Sequence, residues 1–192
     1  MPYKVVSNIA TIPLDFAAAK LYLRYTGSLE DGTIQALIDA AEQYAENRMW
    51  RKVLQANMLW TDSNFPADNA LDGSVTALEL PRAAPLVSVT AVKYYDDDGV
   101  LTTMSPADYQ VDLISSPGRI RPVTQWPKVK PDLLTGIEVT YVAGYTFEQI
   151  PPQISLAMQM LVAHFFANRG DAAQTAPMAA NALLDMYSLR MP

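Results

Sequence analysis

The sequence predicts an α+β protein, a helical unit made from both chain ends with an antiparallel β-rich subdomain inserted between them. Residues 14–50 and 151–189 repeat apolar side chains at helical spacing. The stretch between them centres on residues 78–112 (LELPRAAPLVSVTAVKYYDDDGVLTTMSPADYQVD), where β-branched and aromatic runs are broken by prolines and an Asp-Gly turn. At 192 residues, half of them hydrophobic, one connected domain over 1–192 is economical and disorder is disfavoured for most of the chain.

In order, residues 1–11 read as an extended lead-in. The first helix is expected over about 14–25, with Pro13 and Asp15 at its start, a stripe of Leu14, Ala17, Ala18, Leu21, Tyr22 and Tyr25, and Gly27 as its stop. The second is expected over 31–50, capped by Ser28 or Asp31. Its Ile34, Leu37, Ile38, Ala41, Tyr44, Ala45 and Arg48 fall on one side and Glu42, Glu46 and Asn47 on the other. The β-rich insertion spans about 53–143. It starts with a strand at 53–61, a turn-rich loop at 62–74 and a short strand at 77–80. The strand at 86–95 changes phase, with Val87 and Val89 on one side but Val92 and Tyr94 on the other, which predicts a bulge or burial of both faces. Asp96, Asp97, Asp98 and Gly99 form a hairpin tip, 100–104 returns, and 109–113, 119–121 and 137–143 complete the strands. Three prolines inside 122–136 rule out continuous pairing there, predicting a protruding loop with Trp126, Lys128 and Lys130.

A third helix over about 152–168 is apolar nearly all round, so it must be covered on every side, by its own core or by another subunit. Residues 170–177 read as a hinge, and 179–189 as a short helix striped by Ala180, Leu183, Leu184 and Tyr187. These two segments make up most of a C-terminal tail, 170–192.

The absence of cysteine excludes disulfides and thiolate metal sites. A formal charge of −6 argues against general nucleic-acid binding, which needs clustered Lys and Arg. No apolar run is long enough to span a bilayer and no leader pattern opens the chain, so it is expected to be soluble and not secreted. No GxSxG, phosphate-cradling loop, metal-binding His pair or cofactor motif is present. Asp96–Asp98 lack the alternating ligands and distal Glu of a calcium loop, which favours a solvated tip. His164, the sole histidine, has no nucleophile or orienting carboxylate at a recognisable spacing, which favours a packing role over catalysis and leaves a pH switch at an interface as the sharper alternative. Two lysines beside Trp126 suit a protein contact better than DNA stacking. A β-rich ligand-binding module would need Tyr94, Tyr95, Tyr109 and Tyr141 to converge on a cleft.

The ordered series LDFAAAKLYLR, IQALIDAAEQYAENRMWRKV, LPRAAPLVSVTAVKYYDDDGVL, SPADYQVD, SSPGRIRP, IEVTYVAGY and IPPQISLAMQMLVAHFFANRGDA, over about residues 14–172, resembles the head-tail connector (adaptor) proteins of long-tailed double-stranded DNA phages and of gene transfer agents. The resemblance implies a non-enzymatic virion protein that assembles in the host cytoplasm. It implies a ring of twelve copies between the capsid portal and a tail-side stopper or terminator protein, with DNA passing through the channel. It further implies portal binding by the C-terminal end, for which Leu183, Leu184, Tyr187, Leu189 and Arg190 are the candidates. Trp126, Lys128, Lys130, Met160 and His164 are candidates for subunit or tail-side contacts.

Overall fold

The computed structural model describes residues 3–9, 13–67, 75–168 and 175–189. The chain has an α+β fold that divides into two compact units, one of residues 1–9 and 55–144, the other of residues 10–54 and 145–192.

The first unit is built on a five-stranded antiparallel sheet of order β1-β2-β8-β4-β5: β1 (Tyr3–Asn8), β2 (Ala56–Asp62), β8 (Ile137–Ala143), β4 (Leu86–Tyr95) and β5 (Leu101–Thr103). β8 lies at the centre because its alternation is the cleanest in the chain, Ile137, Val139, Tyr141 and Ala143 all at 0% exposure. Its Val139 faces Trp60 on β2 and Val92 on β4, and this row of buried side chains fixes the register. The phase change in β4 is real: its register against β8 shifts between Leu86 and Ser88 and again between Val89 and Ala91. The lead-in differs from expectation, because β1 pairs with β2 and brings the chain's start into the sheet.

A second sheet, β3-β7-β6, joins β3 (Leu78–Glu79), β7 (Arg119–Pro122) and β6 (Tyr109–Asp112), with Ile120 facing both Leu78 and Val111. The turn into β7 requires a glycine, since a Cβ on Gly118 would lie 2.4 Å from Leu86 Cβ. Tyr141 anchors the unit by donating its hydroxyl to the Pro81 carbonyl at 2.5 Å. Burial pushes that phenol far above its ordinary range, so it stays a donor. At the hairpin tip, Asp96 accepts from the Asp98 and Val100 N–H groups and from Thr102 Oγ1, bonds that hold its carboxyl below the usual range.

The second unit packs α1 (Phe16–Leu23), α2 (Asp31–Met49), α3 (Pro152–Ala167) and α4 (Met178–Asp185) around Ile34, Ile38, Ala41, Ala45, Met49, Ile154, Met158, Leu161 and Leu184. Asp15 caps α1 by accepting from Ala17 N, and Arg24, in the left-handed region at φ 54°, ends it before Gly27 is reached. The expected stripe of α1 holds at its ends, where Leu14 is buried and Tyr25 packs on the core, and is wrong in phase between them. Ala17, Leu21 and Tyr22 are exposed, and Ala19 is the buried position, with Phe16, Leu23 and Tyr25 packed beside it. The start of α2 carries no side-chain cap, neither Ser28 nor Asp31. Asp31 is instead bound by Lys20 Nζ at 2.6 Å, and the same ammonium donates to the Gly27 carbonyl.

Candidate interaction surfaces

The C-terminal stripe folds onto its own unit. Ala180 and Leu184 are fully buried and Leu189 is 9% exposed, with its N–H donating to the Met49 carbonyl at 2.8 Å. Three side-chain bonds pin the helix along its length: Tyr44 Oη to Asn181 (2.9 Å), Arg48 to Asp185 (2.7 Å) and Tyr187 Oη to Gln153 (3.0 Å). Leu183 and Tyr187 stay half-buried, while Met178 and Met186 are exposed. Leu184 and Leu189 are therefore not available to a partner while α4 is docked. Arg190 lies outside the described residues, as do 68–74 of the expected loop and 170–174 of the expected hinge.

α3 is covered by its own chain on one side only. Ile154, Ala157, Met158, Leu161 and Val162 are buried, whereas Met160, Ala163 and His164 are half-buried and Leu156 is 40% exposed. His164 sits in the last turn, where the Asn168 amide lies 3.2 Å from its Nδ1 and donates to its carbonyl at 2.8 Å. Its ring lies 5.9 Å from that of Phe165, a packing environment in which it contacts no nucleophile among the described residues.

The proline-rich loop does not protrude as a whole. Trp126 stacks on Phe65 at 4.4 Å and 6° and donates its indole N–H to the Thr76 carbonyl; Val129 is buried and Lys130 N donates to the Tyr95 carbonyl. The Lys130 side chain lies over Gly99 at the hairpin tip, while Lys128 and, at 96% exposure, Leu134 reach solvent. The middle of this loop is thus clamped from Trp126 to Lys130, with Lys128 reaching solvent within that stretch and Leu134 beyond it. The four tyrosines form no common cleft, because Tyr141 and Tyr109 belong to the buried core.

Two features were not foreseen. Glu46, expected to face solvent, is buried: its Oε1 accepts from Lys52 Nζ at 2.7 Å and from Val53 N at 2.9 Å, because the chain reverses at Trp50 (φ 55°) and returns along the flank of α2. Glu42, one turn earlier and half-buried, has its carboxyl raised to about 7 by burial and by the charge of Glu46, with Lys52 opposing and Asp39 adding to the rise. The other is the exposed apolar face of α1 described above. Among the described residues no three His, Asp or Glu side chains gather as a metal site, and no helix is long and apolar enough to cross a membrane.

No protein-family model and no curated protein matches the chain. Among solved structures, it is similar over its whole length to a chain from the neck of an empty gene transfer agent particle computed with C6 symmetry. The TM-score is 0.80 at 21% identity, covering 100% of this chain and 98% of that one. Chains from the virion of a native gene transfer agent particle (0.79, 20% identity) and from the neck of the native particle computed with C12 symmetry (0.77, 19%) match with the same coverage. At these identities the likeness establishes the fold.

Proposed function

We propose that this chain is a structural neck protein of a phage-like particle: a head-tail connector, or adaptor, that forms a ring between the capsid portal and a tail-side protein. The observation that carries the reading is the likeness over the full chain, in both units, to chains solved within particle necks and a virion. C6 and C12 symmetry in those necks supports a cyclic assembly, and twelve copies around a DNA channel is the number we adopt. The protein works by assembly and carries out no chemical step.

Several surfaces fit the role. The half-covered side of α3, with Met160 and His164, suits a neighbouring subunit. The exposed Lys128 and Leu134 of the proline-rich loop suit a tail-side stopper or terminator, with Trp126 and Lys130 holding the loop in place. Portal contact falls to Leu183, Tyr187 and the residues after Leu189, since Leu184 and Leu189 are committed to the core. The acidic balance of the chain, −6, keeps the channel from gripping DNA during ejection.

Imaging of particles from cells that make this chain tests the proposal. Ring density fitted by both units, between portal and tail, is the expected result. Density for the chain elsewhere in the particle, or particles complete without it, would refute the connector role, and a strongly basic channel lining would refute the claim about DNA.

A further inference from the structure

Resting on the ring reading above, we propose how adjacent copies meet in the helical unit. The exposed face of α1 bearing Leu21, Tyr22 and Arg24 docks on the flank of α2 bearing Asp39 and Glu42 in the next copy, with Arg24 paired to Glu42. A closed ring needs a heterologous contact, two different surfaces on one chain that complement each other, and these two do so in both polarity and charge.

On the α1 side, Leu21 is 80% and Tyr22 43% exposed, an apolar face that its own unit leaves uncovered. The two cations of that helix differ. Lys20 is committed to Asp31 and the Gly27 carbonyl, whereas the exposed guanidinium of Arg24 makes no hydrogen bond or ion pair among the described residues. On the α2 side, helical spacing sets Glu42, Glu46, Asp39, Gln43, Ala36 and Ala40 in succession around the flank away from the helical core; Glu46 at its C-terminal end is covered by Lys52, whereas Ala36 and Ala40 are exposed and small enough to receive larger side chains. Asp39 already accepts from Gln35 at 3.2 Å, and Lys52 is taken by Glu46. That leaves the Glu42 side chain half-buried near Glu46 and Asp39 with no hydrogen bond or ion pair among the described residues; burial first and the Glu46 charge second raise its carboxyl pKa, and an incoming cation offsets both. In a chain of net charge −6, a basic apolar patch finds its complement most directly on a second copy of the same chain.

The absence of native cysteine makes the test clean. Full-length Arg24→Cys and Glu42→Cys chains are co-expressed, assembled into particles, oxidised and run on a denaturing gel. A covalent dimer in the mixture and in neither single variant is expected, and the doubly substituted chain should give a ladder of rising multiples. As a second readout, Arg24→Glu and Glu42→Arg alone should each weaken ring assembly about tenfold or more, and the pair together should restore it to within a few-fold, with thermal midpoints unchanged. Rings that form without the mixed cross-link overturn this contact while leaving the ring reading intact, as do cross-links of Arg24→Cys to itself or to a different virion protein. Particles that hold the chain in no ring overturn the ring reading and this contact together.

Discussion

Leu184→Ala tests whether α4 belongs to the core of its unit or is held in reserve for a partner. Leu184 is fully buried among α2 and α3 residues, so the substitution removes three buried carbons and leaves a cavity that flanking helices fill only in part. Such changes cost about 3–4 kcal/mol, and in a chain of this size each kcal/mol lowers the midpoint by roughly 2–4 °C, so the helical transition should fall by about 6–16 °C. Truncation before Met178 should cost more. It also removes Ala180, Leu189 and the Tyr44–Asn181 bond, while loss of the exposed Arg48–Asp185 pair adds less than about 1 kcal/mol. Thermal melts by far-ultraviolet circular dichroism give the measurement, with Met186→Ala at a 72% exposed position as the control expected to change little. A Leu184→Ala chain that melts within about 2 °C of the parent would refute the core assignment. The outcome also bears on portal binding, because a partner that seized Leu184 would first have to meet the cost of undocking it.

Glu42→Gln should stabilise the chain at pH 8 and change little at pH 4. The folded carboxyl titrates at about 7 against an ordinary 4.5, so the folded state holds the extra proton between those values and loses stability as pH rises through them. That gap bounds the gain at about 3 kcal/mol, discounted to about 1–2 for a half-exposed group; equal urea midpoints at pH 8 would refute it. Lys52→Met strands Glu46 in a buried site and should cost about 3–5 kcal/mol, most of it recovered when Glu46→Leu is added, whereas additive losses in the double variant would show the pair is not coupled. Gly136→Ala should prevent the sheet unit from folding normally, since its Cβ would lie 2.0 Å from the Ser63 carbonyl oxygen; a soluble variant with an unchanged melt would contradict that packing.

Where a segment's pattern has one solution, the sequence reading and the structure agree. β8 alternates without a break and takes the centre of the sheet, and the valines of β4 change phase where the register shifts. Where two solutions are equally apolar, the pattern cannot choose. The α1 segment FAAAKLYL is apolar almost all round, so the stripe through Leu21 and the one through Ala19 are equivalent until α2 and α3 are placed beside it. Glu46 was misread for a related reason. A helical wheel assigns a carboxylate to solvent, and only the reversal at Trp50 reveals that Lys52 arrives to neutralise it. β1 was missed because residues 3–8 do not alternate apolar and polar, and their partners lie some fifty positions away in β2.

The same limit governs the candidate surfaces. A short amphipathic helix such as α4 reads identically whether the groove that receives it belongs to its own chain or to a partner. The groove between α2 and α3 decides in favour of its own chain. What such a protein presents to neighbours is then what its own core leaves uncovered: the outer face of α1, the flank of α2 with Glu42, half of α3 and the exposed Lys128 and Leu134 of the proline-rich loop. Of these, the sequence reading singled out α3 and the loop, because an all-apolar helix and a proline-rich insert stand out as patterns. It passed over Arg24 and Glu42, because an unpaired charge is recognisable only once every nearby counter-charge has been assigned.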